Sequence, residues 1–342
     1  VNGPATVFRP DPSQTGRMRI LFVTNLWPDE ERPHYGSFVA SQAQSLRDRG
    51  LTVDVLHLRG HASTLNYLTG IPGCTRRVLD RSYDVVHIHF GHTLVSSLAA
   101  CLRPSVVSYC GSDLLGQPAE GGGLTRKSRI EVAVFRQMSR LFGTTITKSL
   151  EMEKRLPASR QRLNTVLPNG VDVSMFKPAD KQKARADLGW PADGKAALFL
   201  GNPDDPRKNL ATAQKAVDRL AANGVPIKLQ IGWKLPSSEI PKYMNAADVL
   251  LFPSLSEGSP NVVKEALACA LPVVATRVGD LPERLVDLKG CVLSGPTVEE
   301  FEEGITTLLG YEDDGSLRSA AEDVSLDAIA ERLELVYGRA IG

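Results

Sequence analysis

The sequence lacks most of the features that would assign it quickly. Its five cysteines, Cys74, Cys101, Cys110, Cys269 and Cys291, are scattered and odd in number. None forms a Cys-x-x-Cys pair or a Cys/His spacing that looks like a zinc site, and a reducing compartment fits better than a disulfide scaffold. No apolar run reaches the roughly 18 residues that cross a bilayer. Residues 1–17 hold Pro4, Pro10 and Pro12 but no apolar secretory core; they are expected to form a flexible tail, in a cytoplasmic setting. Charge of one sign is missing too. Formal net charge is +1, with 40 Lys and Arg against 39 Asp and Glu, so a nucleic-acid partner is not expected. There is no G-x-G-x-x-G, no Walker lysine motif and no Asp-x-Asp in a suitable loop, since Asp204 and Asp205 are adjacent. Dinucleotide and ATP fingerprints are thus absent, and a metal-independent chemistry is preferred. No short-period repeat or low-complexity segment is seen.

What is present is an ordinary globular composition, 42% apolar and 23% charged, over 342 residues. That length suits two domains of about 150 residues. Residues 19–24 read as a buried parallel strand, 36–49 as a helix stopped by Gly50, and 51–56 as the next strand. This is a βαβ unit. Strands follow at 84–89, 105–109, 144–147 and 164–167, with helices at 93–102 and 125–140, and 58–80 reads as a loop-rich insertion. Pro168-Asn169-Gly170 marks a break. Residues 178–193 read as an interdomain or surface segment. The alternation then restarts: strands at 196–200, 227–231, 249–252 and 272–276, helices at 209–222, 261–270, 297–309 and 326–337. Two blocks of βα alternation predict an α/β protein of two doubly wound, Rossmann-like domains facing a cleft. Their expected bounds are 18–167 and 168–325. The helix within 326–342 is expected to pack back toward the first domain.

The chemistry concentrates in Glu257-Gly258-Ser259-Pro260-Asn261-Val262-Val263-Lys264-Glu265, between a strand end and a helix start. Ser259 is a suitable N-cap and Pro260 a suitable first helical residue. Gly258 lets backbone approach a ligand, and the free N–H groups of the first turn favour an anion such as a diphosphate. Two carboxylates, one in the loop and one deeper along the helix, are natural acceptors for sugar or ribose hydroxyls. Spacing alone also fits a capped surface helix.

The segment resembles the E-x7-E signature of the retaining glycosyltransferases of family 4, which have the GT-B fold. The likeness continues through Pro272-Val273-Val274-Ala275-Thr276-Arg277-Val278-Gly279-Asp280-Leu281-Pro282-Glu283 and includes the break at Pro168-Asn169-Gly170-Val171-Asp172. It implies that Glu257 contacts the donor sugar and Glu265 the ribose, and that backbone from Gly258, Ser259, Pro260 and Asn261 to Val262 meets the sugar and phosphates. Lys208 would neutralise the diphosphate as the leaving group gathers charge. Glu257 and Lys208 are the catalytic candidates. Gly36, opening a helix after the first strand's loop, would turn backbone N–H groups to phosphate or acceptor.

Two departures stand out. Asn202 occupies the place of the family's arginine, for which Arg207 is the candidate substitute. Cys110, in Cys110-Gly111-Ser112-Asp113, stands where the family often has a reaction-centre histidine, and its thiol cannot reproduce imidazole hydrogen bonding. His89 and His92 are the candidates to replace it, with Cys110 and Asp113 beside the acceptor or reaction centre. Each histidine also fits a packing or loop role.

The expected activity is metal-independent transfer of a sugar, with retention, from a nucleotide-diphosphate donor to a glycan, lipid-linked or small-molecule acceptor. No further cofactor is expected. A UDP-sugar is the first expectation, with GDP or another base as alternatives, and base contacts fall around residues 231–234. A nucleotide-sugar epimerase, a phosphorylase-like enzyme and a non-catalytic binder are the alternatives. The 125–140 helix carries Arg126, Lys127, Arg129, Arg136 and Arg140 against Glu131, interleaved with apolar residues. Its basic face allows weak peripheral contact with the inner face of a membrane, beside the plain reading of a solvated face. No signal specifies an oligomeric state.

Overall fold

The structure is a computed structural model that describes residues 18–30, 32, 35–60, 63–117 and 123–342, with the backbone alone for 5–8. Most of the expected N-terminal tail lies outside the described residues. The chain forms two units, Val1–Gly170 with Leu326–Gly342, and Val171–Ser325.

The first unit holds the strands β1 (Ala5–Phe8), β2 (Arg19–Thr24), β3 (Thr52–Leu58), β4 (Val85–His89), β5 (Ser105–Ser108), β6 (Thr144–Thr147) and β7 (Asn164–Val166). Their order is β1-β3-β2-β4-β5-β6-β7; β1 pairs antiparallel to β3 and all other pairs are parallel. Covered on both faces, β2 to β5 are buried along their length apart from Arg19 at the start of β2. Leu21, Val23, Val86, Ile88 and Val107 pack under Leu94, Leu114, Phe135 and Met152. The final helix, Leu326–Ile341, packs on helix Ser37–Asp48 and on β4 and β5. Arg49 ties it down through Asp327 at 2.7 Å and Glu334 at 2.5 Å.

The second unit holds β8 (Lys195–Leu200), β9 (Ile227–Gly232), β10 (Val249–Phe252), β11 (Val273–Thr276) and β12 (Cys291–Ser294), ordered β12-β11-β10-β8-β9 and wholly parallel. Ala197, Val249, Leu251 and Val274 meet Ala213, Val217, Phe301 and Ile305 in its core. Both units are therefore Rossmann-like sheets with helices on their faces.

Three local readings change. Residues 58–80 contain two short helices, Leu65–Thr69 and Ile71–Val78, because Tyr67, Cys74 and Val78 find core to bury against. Residues 93–102 break into an α-turn, Thr93–Ser96, and a tighter turn, Leu98–Leu102. The charged 178–193 stretch is built into the second unit. Asp180 caps helix Lys181–Leu188, Gly189 stops it at φ 67, and Arg185 reaches Asp248 at 2.6 Å.

Candidate functional site

The loop after β10 leads into helix Asn261–Ala268, which buries Val263, Ala266 and Leu267. Its N-cap is Pro260, one residue later than local rules place it. Ser259 does not cap. Its hydroxyl donates to Asp280 Oδ2 at 2.9 Å and accepts from Lys264 Nζ at 2.8 Å. Charge-assisted partners have outcompeted the backbone amide. The first helical amides consequently have no side-chain cap, and beside them Asn261 Oδ1 is buried without a partner. Open amides and the positive end of a helix dipole suit an anion.

Lys208 closes the short turn Pro206–Lys208, and helix Leu210–Ala222 follows from Asn209 at φ 51. Its Nζ donates to Glu257 Oε1 at 2.6 Å and lies 5.7 Å from the centre of the Phe252 ring. Arg207 is held differently. Its guanidinium binds Asp205 at 2.7 Å, while its carbonyl accepts Leu255 N–H at 2.8 Å and joins the two loops. Asn202 Oδ1 accepts Asp204 N–H at 3.1 Å, which shapes the turn and adds no charge. The structure thus brings together Lys208 and Glu257, and ties Arg207 to its own turn.

A neighbouring loop backs this one. Gly279 has φ 61, and a Cβ there would lie 2.6 Å from the Gly258 carbonyl oxygen. Asp280, next to it, also binds Arg284 at 2.8 Å. Glu265 is half-buried on the helix. Burial pushes its carboxyl up to about 7, with Lys264 opposing. At the end of β9 Ile231 is 44% exposed, and Trp233 just after the strand is 41% exposed.

The first unit places its candidates at the carboxyl edge of its own sheet. Gly36 has φ 70, opens helix Ser37–Asp48 without a side-chain cap, and would put a Cβ 2.2 Å from the Leu26 carbonyl carbon. His89 is 1% exposed, stacked on His87 at 4.0 Å, with Nε2 bonded to Gln42 Oε1 at 2.9 Å. His87 shares hydrogen bonds of 2.7 Å with Tyr337 and Ser108. Burial holds both imidazoles well below their usual range; His89 adds to this for His87, and Lys148 for both. Phe90, at φ 75, turns the chain away, and His92 stacks on Tyr67 and Phe90 with Nε2 3.3 Å from Glu131. Burial pushes the Cys110 thiol up to about 12, Asp113 adding to it. The Asp113 carboxylate accepts backbone N–H groups from Gly91, Cys110 and Gly111. Asp113 therefore organises the loop. Sequence reasoning passed over Lys148, which lies in the same edge and is 1% exposed.

Sucrose-phosphate synthase from Thermosynechococcus elongatus matches with a TM-score of 0.75 at 16% identity, covering 94% of this chain and 98% of that one. Anabaena HepE in complex with UDP gives 0.69 at 19% identity, covering 93% and 99%. At these identities the likeness speaks for the fold. Two Rossmann-like parallel sheets and these neighbours define the class as the GT-B fold. Residues 19–175 match the profile described as Glycosyltransferase Family 4 and residues 212–311 that of Glycosyl transferases group 1. D-inositol 3-phosphate glycosyltransferase of Mycobacteroides abscessus is 30% identical over 329 residues, 85% of this chain and 69% of that one. Its counterpart from Arthrobacter sp. is 25% identical, over 91% and 75%. The chain belongs to glycosyltransferase family 4. It is an enzyme that transfers glycosyl groups, and the epimerase, phosphorylase and non-catalytic alternatives are not favoured. Among the described residues no helix is long and apolar enough to cross a membrane.

Proposed function

We propose that the protein transfers a sugar from a UDP-sugar to its acceptor with retention of anomeric configuration and without a metal ion. The observation that carries this reading is the Lys208–Glu257 pair beside the uncapped helix Asn261–Ala268. When the bond from the anomeric carbon to the diphosphate breaks, its electron pair goes to a phosphate oxygen. Lys208 and the helix amides stabilise that charge. Glu257, released from Lys208, takes a sugar hydroxyl, and Glu265 takes the ribose. The acceptor hydroxyl attacks the face the diphosphate leaves, and its proton passes to the departing phosphate oxygen, which has gained the electron pair. Retention rests on the family resemblance. UDP is favoured because HepE was solved with UDP and with UDP-glucose. D-inositol 3-phosphate, in the relatives' names, belongs on the acceptor panel.

Incubation with UDP-glucose and an acceptor panel, with the product anomer read by NMR, tests the reaction. An inverted product overturns retention. Loss of turnover in EDTA, restored by a divalent cation, overturns metal independence. A larger thermal shift with GDP than with UDP overturns the choice of base.

The reading extends to a membrane surface. Helix Arg126–Met138 buries only Ser128 and Phe135 fully. Ile130 and Val134, one turn apart, are 59% and 44% exposed, and Leu141 is 53% exposed. Arg126, Lys127, Arg129, Arg136 and Arg140 are exposed around them. Apolar side chains ringed by cations complement an anionic lipid headgroup layer.

A further inference from the structure

Lys148 directly follows β6 and is 1% exposed. Lysine is almost never buried without a partner. Among the described residues, no hydrogen bond or ion pair engages its ammonium. Cys110 and Asp113 are the nearby groups that favour its charge, yet neither answers it. Both Asp113 oxygens already accept backbone N–H groups, and the Cys110 thiol is directed to the Ser108 carbonyl at 3.6 Å.

Two more polar atoms without partners sit on the same edge. Strand register sets Ile146 opposite Ser108 and Ser108 opposite His89, so Lys148, Cys110 and His89 belong to neighbouring strand ends. His89 Nε2 is bonded to the Gln42 carbonyl oxygen, and its buried Nδ1 has no partner. A neutral imidazole that donates from Nε2 accepts at Nδ1. Asn25, directly after β2, is 3% exposed, and its Oδ1 is buried without a partner. Folded proteins leave few buried polar atoms unanswered, so two of them on the sheet edge that also holds the unpaired Lys148 call for a ligand. In open α/β sheets, ligands bind beyond the carboxyl ends of the strands.

We infer that Lys148 is the cationic contact of a ligand site in the first unit, with His89 Nδ1 and Asn25 Oδ1 as acceptors for hydroxyls of the same ligand. One cation beside two neutral acceptors fits a polyhydroxylated anion, a sugar or polyol bearing a phosphate or carboxylate. Such a group belongs either to the glycosyl acceptor or to the donor. Only the choice between these two rests on the transferase reading; binding itself does not.

The test is calorimetric titration of wild type, Lys148→Met and Lys148→Gln with glucose 6-phosphate, glucose and UDP. Wild type is expected to bind glucose 6-phosphate at least about tenfold more tightly than glucose, and both variants to lose that preference. Unchanged UDP affinity in the variants assigns the site to the acceptor. A tenfold loss of UDP affinity assigns Lys148 to the donor diphosphate. The unliganded variants are expected to melt at or above the wild-type temperature, because a buried charge without a partner opposes folding. Variants that bind every anionic probe as wild type does overturn the inference, as does a wild type that binds none of them. A clear fall in melting temperature would make Lys148 a structural residue and overturn it too. Binding is read without turnover, so a failure of the transferase reading leaves these affinities as they are.

Discussion

Lys208 Nζ and Glu257 Oε1 stand 2.6 Å apart, although 49 residues separate them in the chain. The contact joins the loop after β8 to the loop after β10. Each side chain is about one fifth exposed, at 23% and 21%. A pair this open to solvent adds little to stability. Its value under the proposed function is in where it holds the charges: a diphosphate arriving at the helix amides would take over the ammonium and free the carboxylate for the sugar.

Lys208→Met should therefore separate catalysis from folding. The transfer rate is expected to fall about 100-fold or more, as when one charge-stabilising group is removed from a transition state. Unfolding free energy should change by about 1 kcal/mol or less. Steady-state kinetics and urea denaturation read the two effects. A rate loss below tenfold would remove Lys208 from the reaction.

Glu265 gives a pH prediction. Its carboxyl is pushed up to about 7, from an ordinary value of 4.5. Between those values the folded protein keeps a proton that the unfolded chain has lost. Stability from this group is therefore lost as pH rises through the window and levels off above it. Glu265→Gln should abolish that part of the slope and be the more stable protein at about pH 8, but not at about pH 4. If the ionised carboxylate takes ribose hydroxyls, UDP binding near pH 6 releases a proton. Calorimetry in two buffers of different ionisation enthalpy checks this, and proton uptake on binding would contradict it.

Much of this site was legible because its signals are local. The strand Val249–Phe252 and the start of helix Asn261–Ala268 follow from apolar runs and a proline. Glu257 and Glu265 were singled out by the E-x7-E spacing, and Lys208 by the wider family resemblance. What sequence reading missed depends on distant partners. Ser259 reads as a cap until Asp280, 21 residues on, claims its hydroxyl. Strand β12 is four residues with an unremarkable pattern, recognisable only beside β11. Lys148 looks like any lysine after a strand, since its burial is decided by the loop at Cys110 and the histidines of β4.

Gly279→Ala tests the support beneath the Glu257–Gly258 loop. At φ 61 a side chain costs about 1 kcal/mol. Here the new Cβ also meets the Gly258 oxygen at 2.6 Å, so the Glu257–Gly258 backbone must move. Gly224, at φ 87 with nothing within 4 Å, is the control. Gly224→Ala should cost stability alone, while Gly279→Ala should also weaken UDP binding about tenfold, a loss of about 1.4 kcal/mol. Equal UDP affinity in both variants would show that the loop does not report to the donor.

The buried Lys264 should behave as part of a charge network. It is fully buried, and its ammonium reaches Asp280 through the Ser259 hydroxyl. Removing one partner leaves the other buried and less well matched, at a cost of about 3 kcal/mol. Lys264→Met and Asp280→Asn should each destabilise the fold. The double variant should be less destabilised than the sum of the two, as coupled sites require. Strict additivity in urea denaturation would dissolve the network.

The helix Arg126–Met138 makes the prediction furthest from the chemistry. A solvated basic face and a membrane-docking face share the same cations, so charge alone cannot separate them. The exposed apolar side chains can, because water gives no reason to keep Ile130, Val134 and Leu141 outward. Sedimentation with anionic phospholipid vesicles should capture the protein, and vesicles of zwitterionic lipid should not. Each basic residue near such a surface contributes about 1 kcal/mol, so Arg129→Gln with Arg136→Gln should weaken capture by more than tenfold. Raising salt should weaken it as well, since attraction is screened beyond a Debye length of about 10 Å at 0.1 M. Ile130→Ser with Val134→Ser should weaken capture at every salt concentration, as insertion of apolar area is not screened. Capture that ignores lipid charge, or that survives both pairs of substitutions, would return the helix to a solvated face.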